Sequence, residues 1–203
     1  MRLIWALIGC LVLAQCASRE DNRFQVGASP RAFVIIGAAE SAANMSPRYS
    51  MLWRRLDAQG AFMPIDDNTS IEARTSAGGA RVAGIPGEFV MAEVEPGVYA
   101  LDGVFALIPD RNVNYVAQGV VTSPERPVFE VRPGEAVYLG IWEMNLQEDR
   151  AVTRLWRLEQ ADVDAAIAEV NPIVGQVRAE QTQLRAVACT PHRFSNTSTR
   201  QIC

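Results

Sequence analysis

Two segments constrain the fold more than anything else in the chain. EFVMAEVEPGVYALDGVFALI begins at residue 88 and PVFEVRPGEAVYLGIWEM at residue 127, and each sets a Pro-Gly pair between two strand-like runs. Phe129 and Val131 alternate with Glu130 and Arg132, the period of two that a half-buried strand requires. Beyond the second turn the same period puts Val137, Leu139 and Ile141 on one face and Tyr138, Gly140 and Trp142 on the other. VNYVAQGVV (113–121) and AVTRLWRLE (151–159) supply two further strands. Short strands punctuated by Pro and Gly in this density point to a mainly β chain, an antiparallel β-sandwich over residues 31–160.

The flanking segments fit that frame. AFVIIGAAE (32–40) is short, β-branched and almost continuously apolar, which suits a strand buried on both faces, and YSMLWRRLD (49–57) is its expected partner. Residues 58–87 carry little pattern and are expected to hold one or two short strands at most. A helix is predicted over 161–171, capped by Asp162, stopped by Pro172 and packed through Val163, Ile167 and Val170. GQVRAEQTQLRAVA (175–188) has helix-forming composition with sparse apolar residues, and a second helix is expected there. Residues 161–203 thus form a helix and tail on the same domain.

The N-terminus addresses location. Arg2 precedes an uncharged run from Leu3 to Ala17, after which Ser18, Arg19, Glu20 and Asp21 follow at once, the layout of a signal peptide. The run is shorter than the roughly 20 apolar residues that span a bilayer. Leu13-Ala14-Gln15-Cys16 resembles the bacterial lipobox, with Gln15 in place of the usual small residue. The resemblance implies a signal peptide over 1–15, a lipid on Cys16 and a tether over 16–30. Leu7-Ile8-Gly9-Cys10 has the same form but leaves too short an apolar core. Ala17 and Ser18 lack the Asp that holds enterobacterial lipoproteins in the inner membrane, which implies the periplasmic face of the outer membrane. The rival is an ordinary export signal cut near Cys16 or Ala17, giving a soluble periplasmic protein. In that oxidising compartment Cys189 and Cys203 are expected to close a disulfide that pins the tail. Such a bridge is worth about 3 kcal/mol in the chain-entropy model.

Composition then excludes several chemistries. Hydrophobic residues make up 49% of the chain, ample for a core. The formal net charge is −4, which offers no positive field for nucleic acid. His192 is the only histidine, so multi-histidine zinc sites are impossible, and a pairing of His192 with Cys189 competes with the disulfide. Asp66-Asp67-Asn68-Thr69 clusters oxygen ligands without the spacing of a calcium loop and reads as a surface turn. The chain has no lysine, so the glycines of SAGGARVAG (76–84) form no P-loop. No metal and no cofactor are expected. Glu88, Glu93, Glu95, Glu130 and Glu135 lie beside turns or on strand faces, where solvated side chains are ordinary and a glycosidase-type pair is the functional alternative. Trp53, Tyr99, Tyr138, Trp142 and Trp156 fall on strands; they are core residues in the ordinary reading and a glycan-binding platform in the functional one.

At EVEPGVYALDGV and FEVRPGEAVYLGIWEM the chain resembles uncharacterised bacterial envelope lipoproteins with a small β-sandwich domain. The same P-G-x-Y turn occurs in transthyretin-like and carboxypeptidase-regulatory-like sandwiches. The likeness covers residues 88–142 and implies a fold, with Pro96-Gly97 and Pro133-Gly134 making turns and Tyr99 and Tyr138 packing. It carries no catalytic residues. The expectation is a non-catalytic binding or assembly component of the envelope, tied to the membrane by lipid and meeting an envelope protein or glycan. A periplasmic hydrolase with a carboxylate pair is the alternative.

Overall fold

The computed structural model describes residues 22–41, 47–109, 114–120, 125–148, 150–188, 192–193 and 201–202. In chain order the elements are β1 (Phe24–Gln25), β2 (Ala32–Glu40), β3 (Arg48–Arg55), β4 (Ser70–Arg74), β5 (Gly87–Val94), β6 (Gly97–Pro109), β7 (Asn114–Val120) and β8 (Glu125–Val131). Then come β9 (Ala136–Gln147), β10 (Arg150–Arg157), α1 (Gln160–Val170), β11 (Ile173–Val174), β12 (Arg178–Ala179), β13 (Gln183–Ala186), β14 (His192–Arg193) and β15 (Gln201–Ile202).

Two sheets face each other. One runs β10-β9-β2-β5, with β12 continuing the β10 side of β9; the other runs β13-β8-β6-β3-β4, with β7 beside the far half of β6. Both Pro-Gly pairs are arches between sheets: Pro96-Gly97 carries β5 of the first sheet into β6 of the second, and Pro133-Gly134 carries β8 back into β9. The second sheet is antiparallel throughout, whereas β2 and β9 pair in parallel. One expectation is corrected by this topology: β3 does not pair with β2 but lies between β4 and β6 in the opposite sheet, while β2 takes β5 and β9 as neighbours.

The space between the sheets is filled by alternate residues of each strand, among them Val34 and Ile36 of β2, Met51 and Trp53 of β3, Tyr99 and Leu101 of β6, Phe129 of β8 and Leu139 of β9. A second apolar cluster covers the other face of the first sheet. Phe33, Ile35, Tyr138 and Ile141 meet Val163 and Ala166 of α1 and Val82 of the β4–β5 connection there. Burial on two sides is why β2 reads as a continuous apolar run.

The alternation expected in β9 breaks at one residue. Gly140 has φ +86°, and between Ile35/Tyr138 and Gly37/Ile141 the pairing register shifts by one. Only glycine adopts that backbone cheaply, and a Cβ at this position would stand 2.7 Å from the Arg157 carbonyl oxygen. The bulge reverses the faces: Ile141 joins Tyr138 beneath α1, and Trp142 joins Val137 and Leu139 between the sheets. A second register shift puts Asp102 of β6 out of step with β3, and a third does the same for Trp156 of β10.

The single helix among the described residues spans 160–170. Its N-cap is Glu159, without a side-chain cap, and Asp162 lies in the first turn instead, gripping Arg157. Asn171 closes the C-terminus in the left-handed conformation. Val163 and Ala166 are buried and Ile167 is half-buried, whereas Val170, expected on the packed face, is exposed. No described helix is long and apolar enough to cross a membrane.

Two stretches differ from expectation at the termini. Residues 24–30, expected within the tether, belong to the domain: β1 pairs with β11, Phe24 is buried against Phe33, and the Gly27 N–H donates to the Gly134 carbonyl. Residues 175–188 are not a second helix. β12 adds to β9 and β13 adds to β8, because open sheet edges offer their backbone groups to a chain whose apolar residues are too few to hold a helix face.

Candidate functional site

Four of the five aromatic candidates are interior. Trp53 meets Trp142 edge-on at 5.4 Å and Phe129 at 5.5 Å, while Tyr99 stacks on Phe129 at 5.3 Å. Tyr138 lies in the other cluster beside Phe89. Burial pushes the Tyr99 phenol up to about 12, and raises Tyr138 further still. The Tyr99 hydroxyl donates to the Glu95 carbonyl at 2.7 Å, tying the first Pro-Gly arch to its own strand.

Trp156 stands apart. The bulge in β10 turns it outward with 37% of its surface exposed, and the Arg157 guanidinium lies 4.4 Å from its ring centroid. Arg157 is itself fixed by both oxygens of Asp162 and by the Ala83 carbonyl. The five aromatics therefore share no common surface.

The carboxylate candidates are mostly engaged within the fold. Glu88 accepts the backbone N–H groups of Ala77, Gly78 and Gly79, closing the β4–β5 connection. Glu93 pairs with Arg31 and Glu95 with Arg55. Glu135 accepts the Arg132 backbone N–H across the second Pro-Gly arch. Asp66 accepts the Asn68 N–H in an Asx turn, and Asn68 accepts from Arg31, which gives the Asp66–Thr69 segment a structural duty. Glu130 is exposed and makes no hydrogen bond or ion pair among the described residues.

A buried charge cluster lies on the outer face of the second sheet, and no sequence signal announces it. Arg54 of β3 donates to Asp102 at 3.1 Å and to the Met63 carbonyl, and both side chains are almost fully buried. Arg126 of β8 donates to the carbonyls of Leu101 and Asp102. The Phe62 ring covers both cations, at 5.0 Å from the Arg54 and 5.3 Å from the Arg126 guanidinium carbon. Burial pulls Arg126 below the usual guanidinium range, with Asp102 opposing the shift and Arg54 adding to it. The cluster is sealed from solvent.

The concave surface that joins the two sheets is a cleft of about 310 Å³. It opens where the chain crosses from β12, on the edge of the first sheet, to β13, on the edge of the second. Val128 and Phe129 of β8 line its base at the strand edge, and Phe129 carries the aromatic stack of the core. The rim mixes signs: Glu130, Arg132 and Glu135 come from β8 and its arch, Arg178, Glu180, Gln181, Gln183 and Arg185 from the crossing chain. Arg178 pairs with Glu180 and approaches Glu135 at 3.9 Å, so the acids nearest the crossing are held by a cation. The chemistry of this rim suits a polar ligand of mixed charge. Of these residues the sequence singled out only Glu130 and Glu135. The polar–apolar alternation of Gln183-Leu184-Arg185-Ala186 was the available signal for a strand here, masked by the helix-forming composition around it.

Three candidates, Cys16, Cys189 and Cys203, lie outside the described residues. The strand pairing of His192 with Ile202 and Arg193 with Gln201 is described, but not the cysteines on either side. No group of three or more His, Cys, Asp or Glu side chains among the described residues is placed to hold a metal. Comparison of the chain with protein-family models, with curated proteins and with solved structures returns no match.

Proposed function

We propose that the chain is a lipid-anchored component of the bacterial envelope, facing the periplasm from the outer membrane, that binds a partner without turning it over. The observation that carries this reading is the abrupt end of an uncharged N-terminal run at Leu13-Ala14-Gln15-Cys16. The resemblance of residues 88–142 to envelope lipoproteins with a sandwich domain supports the same compartment. The docking of Phe24 adds a geometric consequence: a chain anchored at Cys16 reaches Phe24, the first buried residue among those described, within about 30 Å, which keeps the domain close to the membrane surface. Binding is favoured over hydrolysis by the way the acids are used, since Glu88, Glu93, Glu95 and Glu135 all serve backbone groups or arginines of the fold. A carboxylate pair working as acid and base needs one member held protonated in a dry pocket. The test is metabolic labelling of cells with a lipid precursor: the wild-type chain takes label and fractionates with outer membrane, and Cys16→Ser does not. Equal labelling of both, or a wild type released with the soluble periplasm, would overturn the anchor.

A further inference from the structure

The cleft contains an incomplete strand pairing. β13 covers the outer edge of β8 only from Glu125, opposite Ala186, to Val128, opposite Gln183. There the chain departs toward β12. Residues 129–131 of β8 continue, paired with β6 on one side and with no strand on the other among the described residues. Backbone donors and acceptors on an open edge are a template for another strand, and this one lies in a preformed cleft of about 310 Å³. We propose that it receives a short extended peptide with free charged ends, laid antiparallel to β8 in continuation of β13.

The charges fit that occupant. Residues opposite each other in an antiparallel pair share a face, so Gln183 and Arg185 lie on the side of Val128 and Arg126, and Glu130 lies there too by the period of two. Arg185 has one described contact, a hydrogen bond to Gln183 at 3.2 Å, and Glu130 has none. β13 occupies the positions opposite 125–128, so the free edge is residues 129–131, roughly 10 Å long, with Glu130 at its middle and Arg185 two residues beyond Gln183. An extended tripeptide fills that length, with its middle residue opposite Glu130, its carboxyl end against Gln183, and the long side chains of Glu130 and Arg185 turned to its two ends. An antiparallel segment runs its amino end toward Glu130 and its carboxyl end toward Gln183 and Arg185. Main-chain hydrogen bonds supply affinity in this mode, and the end charges set direction and length.

This inference rests on the binding reading given above, and the experiment separates the two. The full-length chain in mild detergent is titrated calorimetrically with Ala-Val-Ala carrying free termini. Saturable binding is expected with a dissociation constant of about 0.1–1 mM, ordinary for a ligand of this size. Amidating the carboxyl end should weaken it about tenfold. Arg185→Gln should weaken the free tripeptide equally and leave the amidated one unchanged, and Glu130→Gln should behave in the same way toward an acetylated amino end. Both positions are exposed, so the variants should keep the wild-type melting temperature. ω-Aminooctanoic acid, which has the same chain length between its charges and no amides, should not bind. Absence of saturable binding by the tripeptide would overturn the proposal. So would equal affinity of a doubly capped peptide or of the amino acid spacer. Recovery of the peptide in pieces would support the site and overturn the non-catalytic reading, while loss of lipid label with binding intact would overturn only the anchor.

Discussion

Asp102→Asn removes one negative charge from the sealed cluster on the outer face of the second sheet and changes almost no volume. The carboxylate stands 3.1 Å from Arg54, both side chains are within 3% of full burial, and the same residue opposes the burial-driven shift of Arg126. Breaking a buried pair on one side costs about 3–5 kcal/mol, because the remaining charge keeps its desolvation penalty and loses its attraction. In this cluster two guanidinium groups beneath Phe62 lose the carboxylate that faces them, which argues for the upper part of that range. A domain of this size shifts by about 2–4 °C per kcal/mol, so a cost of about 4–5 kcal/mol should lower the melting temperature by about 8–20 °C. The assay is thermal unfolding followed by circular dichroism, with Glu72→Gln as the comparison. Glu72 pairs with Arg74 on the exposed side of β4, where an ion pair is worth less than about 1 kcal/mol. Equal melting of Asp102→Asn and Glu72→Gln would refute the reasoning, for it would mean that the cluster is hydrated.

Val163 is fully buried under the first sheet and Val170 is exposed at the end of the same helix, so Val163→Asp should unfold the domain while Val170→Asp changes its melting by no more than about 2 °C; similar losses from both would contradict the packing of α1. Three of the four tyrosines, Tyr49, Tyr99 and Tyr138, have phenols raised by burial, Tyr99 to about 12. The folded chain therefore keeps protons that the unfolded chain loses above pH about 10, and their contribution to stability is whole below that pH and lost as pH rises through about 12. The phenolate absorbance of these three should rise in one step with loss of the β signal, and their gradual ionisation within a still-folded sheet would contradict the burial. Cys189 and Cys203 should be found linked when the non-reduced protein is digested and weighed, whereas free thiols at both would return Cys189 and His192 to consideration as a pair.

The sequence was most legible where one physical rule acted alone. β2 is apolar throughout because both its faces are covered, and the two Pro-Gly pairs mark arches because their strands lie in different sheets. The period of two breaks at β9 for a single cause, the Gly140 bulge, which exchanges the faces of Ile141 and Trp142. A glycine inside a strand can mark a bulge, yet its direction depends on neighbours that the local sequence does not reveal. The same holds for the pairing of β3, since the β3 sequence suits a partner in either sheet. The cleft was hidden for another reason. Most of its rim comes from Arg178–Arg185, a stretch whose alanine, glutamine, glutamate and arginine favour a helix in isolation, and only the open edges of β8 and β9 draw it into strands. Asp102, Arg54 and Arg126 come from three different strands, and nothing in their local sequences foretells that they meet.

The anchor on Cys16 is the claim on which the compartment and the orientation depend, and the chain offers a direct way to weigh it. Arg19 is the first trypsin site after Cys16, so digestion of the mature protein releases its N-terminus as Cys-Ala-Ser-Arg. Mass spectrometry of the hydrophobic fraction should find this tetrapeptide with its amino terminus at Cys16 and the added mass of acyl chains that alkaline hydrolysis partly removes. A mature chain that begins at another residue, or an unmodified Cys16 within a longer peptide, would contradict the account.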